Sequence, residues 1–154
     1  MISLAIFLAG KNNADVIKMR VRQEKEFLML LSHIKSAADS QKGDLCFAIE
    51  TFDGNFLEKN GLLKALRQNV DKEKVLKNFK DKLFTDREET MLMCDFFQKI
   101  GRCRTSRECC ELCEKHIELL KNHAEKNTAE EKSKAELMQK FSVLISAAVF
   151  VILI

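Results

Sequence analysis

The chain has 154 residues, 32% charged and 46% hydrophobic, with 26 Lys and Arg against 23 Asp and Glu for a formal charge of +3. That length bounds one modest domain with at most an appendage, and that polarity excludes a multi-span membrane protein. Trp and Tyr are absent and the basic residues are mixed among acidic ones, so the basic stripe and stacking platform of a nucleic-acid binder are missing.

With no Pro, five Gly and abundant Leu, Lys, Glu and Ala, the composition predicts an all-α fold. The architecture expected is a small helical bundle of antiparallel hairpins with a long C-terminal helix running into an apolar membrane anchor. Residues Ile2 to Ala9 are a short apolar segment with no Lys or Arg before it, which makes a weak signal-peptide core or a truncated anchor. The glycines, at 10, 43, 54, 61 and 101, fall between periodic segments and are expected to close helices in the left-handed conformation.

A first helix is predicted over Asp15 to Ala38, with Ile17, Val21, Phe27, Leu28, Leu31 and Ile34 inward and Lys18, Arg20, Arg22, Lys25 and Lys35 on the other face. That basic face suits either solvent or anionic lipid, and the interleaved Asp15, Glu24 and Glu26 favour solvent. Asp44 can cap a short helix holding Leu45, Phe47, Ala48 and Ile49. Turns follow at Asp53-Gly54-Asn55 and Asn60-Gly61. Leu62, Leu63, Leu66 and Val70 form one apolar face, and Val75, Leu76, Phe79 and Leu83 the next.

Thr85-Asp86-Arg87-Glu88 and Thr105-Ser106-Arg107-Glu108 both fit the capping box, in which Thr and Glu satisfy one another's orphan amides. The first opens a helix with Leu92, Met93, Phe96, Phe97 and Ile100 inward, stopped by Gly101. From Ser106 onward neither Gly nor Pro intervenes, so one helix can run on, packing through Leu112, Ile117, Leu120 and Ala124. After Asn127 it turns polar all round, a solvated stalk over residues 128–140. The last stretch, residues 141–154, carries no charge, and Phe141, Val143, Leu144, Ile145, Val149, Phe150, Ile152, Leu153 and Ile154 make it a candidate anchor. At about 1.5 Å per residue it covers about 21 Å, short of a hydrocarbon core of about 30 Å, unless Leu137, Met138 and a snorkelling Lys140 extend it. Lys132, Lys134 and Lys140 precede it, which predicts a cytoplasmic domain, residues 11–127, and reduced thiols.

Six cysteines stand at 46, 94, 103, 109, 110 and 113. Cys109, Cys113 and His116 follow one another at i, i+4 and i+7 with Cys103 in the preceding turn, a spacing that could share a zinc ion. Only one Cys-x-x-Cys pair exists, however, so core thiols without metal are the favoured reading and no cofactor is expected. His33 beside Ser32, and His116 or His123 near Glu residues, lack the third group that an acid–base site needs.

Phe96-Phe97-Gln98-Lys99-Ile100-Gly101, followed by a long helix, a Lys-rich segment and an apolar end, resembles stage III sporulation protein AB. The soluble part of that family is similar to the cytoplasmic domain of type II secretion system F proteins. Phe96, Ile100 and Gly101 match the family's Phe-Gly-x-x-Leu-Gly-like motif in kind, whereas Phe97 replaces its first Gly. The family carries an acidic residue shortly after the motif, where this chain has Arg102-Cys103-Arg104. It also has an N-terminal span, of which residues 1–10 would be a remnant. The resemblance implies a non-enzymatic component of a sporulation transenvelope channel. It would sit in the mother-cell membrane and dock a hexameric secretion-type ATPase and neighbouring membrane subunits, with neither nucleic acid nor a small-molecule substrate. The alternative is a small Cys/His metal-binding or thiol-reactive helical protein with a hydrophobic tail.

Overall fold

The structure, a computed structural model, describes the backbone of residues 2–40, 45–83 and 85–152 and the side chains of residues 16–40, 45–83 and 85–129. Its elements are α1 (Ile2–Asp39), α2 (Leu45–Thr51), α3 (Asn55–Lys59), α4 (Leu62–Gln68), α5 (Lys72–Phe79), a 3₁₀ turn (Lys80–Lys82), α6 (Arg87–Ile100) and α7 (Ser106–Ile152). The described residues are all-α. The chain divides into two compact units, Met1–Lys121 and Asn122–Ile154.

In the first unit, Phe27, Leu30, Leu31 and Ile34 of α1 are buried with Ala48 and Ile49 of α2, Leu57 of α3, Leu62, Leu63 and Leu66 of α4, and Val75 and Leu76 of α5. Met93, Phe96, Phe97 and Ile100 of α6, with Cys113 and Leu120 of α7, complete this core. Of the face expected on α1, Phe27, Leu31 and Ile34 are buried, but its N-terminal part is not. Ile17 and Val21 are exposed, while Gln23 is fully buried in line with Phe27 and Leu30 at i+4 and i+7. Apolar residues occupy nearly every side of α1, so spacing alone could not choose the register. Val70 is exposed as well, because α4 ends at Gln68 and Asn69 is already extended.

The described glycines differ in what they do. Gly10 lies within α1, whose helix runs through the break expected there. Gly61 has φ of 83° and is the one described glycine in the left-handed region, where it turns the chain from α3 into α4. Gly54 is extended and is needed for room, since a Cβ there would sit 2.5 Å from the Phe52 ring and 3.1 Å from Glu26 Oε2. Gly101 is in the right-handed helical region with open space around it, so it neither requires nor supplies a left-handed stop. Gly43 and the expected cap Asp44 lie outside the described residues.

Polar side chains lock the short helices. Glu26 on α1 accepts from the amides of Phe56, at 2.7 and 2.9 Å, and Leu57, at 2.8 Å, and so fills the exposed N-terminus of α3 from another element. Arg67 donates to the carbonyls of Ile49, at 3.3 Å, and Phe52, at 2.9 Å, and pairs with Glu58 at 2.8 Å, which ties α4 to the end of α2. The ammonium of Lys72 is buried against the carbonyls of Leu66 and Asn69. At α6 the cap is Asp86, which accepts from Glu89 N at 2.8 Å, while Thr85 instead meets the Thr90 hydroxyl at 2.8 Å. The second box forms nearly as expected, with Thr105 accepting from Glu108 N at 3.2 Å and Glu108 accepting from Arg104 N at 2.8 Å.

Among the described residues no helix is long and apolar enough to cross a membrane. The side chains of the expected anchor, Phe141 to Ile154, lie outside them, and its backbone is helical through Ile152.

Candidate functional site

The α6–α7 hairpin carries the motif residues, the His116 imidazole and five of the six thiols. Its inward stripe on α6 runs Glu89, Met93, Phe96, Phe97 and Ile100, all buried. On α7 the buried positions are Cys113, His116, Leu120 and His123; of the expected face Leu120 is buried, whereas Leu112, Ile117 and Ala124 are half-buried. The Phe96 ring meets the Phe97 ring edge-on at 5.1 Å and the His116 ring at 5.4 Å. Phe96 and Ile100 thus hold the hairpin closed from within and offer no surface to a partner. Gly101 lies at the exposed end of α6.

His116 is committed on both sides of its ring. Nδ1 faces the Leu112 carbonyl at 3.0 Å and Nε2 faces Asp95 Oδ2 at 3.0 Å. Burial works against the Asp95 carboxylate, yet hydrogen bonds from Lys99, at 2.7 Å, and from His116 outweigh it and hold its pKa below the ordinary value. No lone pair of this ring is turned towards a thiol.

The thiols form a separate group. Cys109 and Cys113 are hydrogen-bonded to one another, and burial pushes both pKa values up, Cys113 far above the ordinary range. Cys103 donates to the Lys99 carbonyl at 3.7 Å and Cys110 to the Lys35 carbonyl at 3.8 Å, and burial raises both. All six cysteines are free. A thiol that resists ionisation is a poor nucleophile and a poor metal ligand. Among the described residues no three His, Cys, Asp or Glu side chains are grouped so as to hold a metal ion. The structure therefore brings Cys103, Cys109 and Cys113 into one neighbourhood and leaves His116 facing Asp95.

Compared with protein-family models, curated proteins and solved structures, the chain matches none. Its function must be argued from its own residues.

The remaining histidines bond to other side chains. His33 Nε2 meets Thr51 Oγ1 at 3.0 Å rather than Ser32, whose hydroxyl donates to the Leu28 carbonyl at 2.8 Å. His123 Nε2 meets the Asn127 amide at 2.9 Å.

Two features escaped the sequence-based reading. One is a buried carboxyl, Glu89, whose two oxygens have no hydrogen-bond partner. Arg20 of α1 pairs with Asp86 and, at 3.2 Å, with Glu24, which leaves its charge spent on other carboxylates. Burial first, then the neighbouring Glu24, pushes Glu89 up to about 8 against the opposing pull of Arg20. Its position was legible, since Glu89 stands four residues before Met93 and seven before Phe96 on the buried stripe. The other is a groove of about 750 Å³ between α1 and α3, lined among others by Met19, Arg22, Lys25, Met29, Phe56 and Lys59. No sequence spacing foretold it, because its walls come from two elements.

Proposed function

We propose that this protein is a non-enzymatic, membrane-anchored assembly component similar to stage III sporulation protein AB. Its helical unit would lie on the cytoplasmic, mother-cell side of the cell membrane. There it would serve as a docking subunit of a sporulation transenvelope channel, in contact with a hexameric secretion-type ATPase and with neighbouring membrane subunits. What supports this reading above all is α7, one uninterrupted helix over Ser106–Ile152 that starts in the packed hairpin and continues into the uncharged run from Phe141. The caps and buried residues act in the same sense, fixing a rigid helical surface rather than assembling reactive groups.

The test is membrane partition. The full chain is expected in the membrane fraction, released by detergent and resistant to high salt, while a chain ending at Lys140 is expected in the supernatant. If both chains stay in the supernatant, the anchor and the assembly reading built on it fall together.

A further inference from the structure

The groove between α1 and α3 has a composition that nothing above uses. Along α1, Met19, Arg22, Glu26 and Met29 stand at i, i+3, i+7 and i+10, so they share one edge over about 15 Å, with Lys25 beside them. Phe56, half-buried, and the exposed Lys59 face them from α3. Met19 is 38% and Met29 47% exposed, in a concavity rather than scattered on a convex surface.

The charges are unequal in kind. Arg22, Lys25 and Lys59 are exposed, and among the described residues none of them pairs with a carboxylate. The lining's three cations outnumber its two acids, Glu26 and Asp53, and the Glu26 oxygens are already taken up by the amides of Phe56 and Leu57. Unbranched, polarizable Met side chains adapt to an incoming apolar surface. A floor of that kind rimmed by cations recognises an amphipathic helix whose polar face is acidic.

We propose that this groove is a docking site for an acidic amphipathic helix of a partner protein, about three turns long. Two apolar side chains one or two turns apart would sit over Met19 and Met29, and carboxylates on the flanks would meet Arg22, Lys25 and Lys59. A bilayer surface fits the site less well, because a flat sheet of headgroups cannot enter a concavity. The inference rests on the reading of the protein as a docking subunit and names where one partner binds and by what chemistry. Partition measures the anchor and peptide binding measures the groove, so the two readings fail separately.

The probe is a fluorescent helical peptide of about four turns with Leu at i, i+3, i+4 and i+7 and Glu on its polar face, titrated with the full chain in a non-ionic detergent. A second peptide carries Lys in place of Glu. Saturable binding of the acidic peptide is expected with a dissociation constant on the order of 10–100 μM, weakening with salt. The double substitution Arg22→Glu with Lys25→Glu should weaken it at least about tenfold, and Met29→Asp should do so independently. All three positions are exposed, so unchanged thermal unfolding is expected and separates loss of binding from loss of fold. Absence of saturable binding, equal binding of the two peptides, or indifference to these substitutions would each overturn the proposal. Loss of binding to anionic but not zwitterionic nanodiscs in the variants, with peptide binding intact, would overturn it in favour of lipid. Self-association abolished by the same substitutions would overturn it in favour of a second copy.

Discussion

Glu89 makes the stability of this protein fall as pH rises. In the unfolded chain its carboxyl releases a proton near the ordinary value of 4.5, whereas in the folded protein it holds the proton up to about 8. Between those values folding takes up a proton, so stability drops by up to about 1.4 kcal/mol per pH unit. The contribution is fully present below about pH 4.5 and largely lost by about pH 8, and by pH 7 about 3 kcal/mol of it has gone. Replacing Glu89 by Gln keeps the shape and removes the titration, and the new amide can donate towards Glu24 and Asp86. The variant should match the wild type near pH 5 and exceed it by about 3–4 kcal/mol near pH 8. The assay is urea unfolding of both full chains in a non-ionic detergent, followed by circular dichroism across that range. Other groups that titrate there are common to both chains and cancel in the difference. If the difference is flat with pH, or the Gln variant is the weaker chain near pH 8, the reasoning is refuted.

Three other outcomes follow from the packing. Gly54→Ala should destabilise by about 1–3 kcal/mol, because its methyl would strike the buried Phe52 ring at 2.5 Å, and a shift in urea midpoint reads this directly. Glu26→Ala should cost about 1–3 kcal/mol by stripping the amides of Phe56 and Leu57 of their acceptor, and hydrogen exchange at those two amides should accelerate most. Alkylation by iodoacetamide should label the exposed Cys46 first and spare Cys113 until the chain is unfolded, and mass spectrometry of the peptides gives the order.

The buried stripe of α6 could be read from the sequence because Met93, Phe96, Phe97 and Ile100 recur at helical spacing, although Leu92, expected with them, is only half-buried. The start of α7 was equally legible, since Thr105 and Glu108 satisfy local amides and need no distant partner. In α1 the same method was right for Phe27, Leu31 and Ile34 and failed nearer the N-terminus, where Ile17 and Val21 are exposed and Gln23 is buried. There the apolar residues are too many to define one face, and the choice falls to the elements that pack on α1, among them α2 and α3. His116 shows the same limit in the candidate site. Its spacing allowed it to join Cys109 and Cys113, but Asp95 on the facing helix claims its Nε2.

Local chemistry alone determined that this chain is helical: no Pro, few Gly, caps at helix starts, and runs of apolar residues at helical spacing. Those signals act within a few residues, so they survive without knowledge of the fold. Only the tertiary structure decided which carboxylates are spent and which stand alone. Glu26 and Glu89 are both acidic residues on amphipathic helices, yet one finds amides of α3 while the other is sealed beside Asp86 and Glu24 without a hydrogen bond. Burial and electrostatic environment are properties of what another segment brings, and no single helix encodes them.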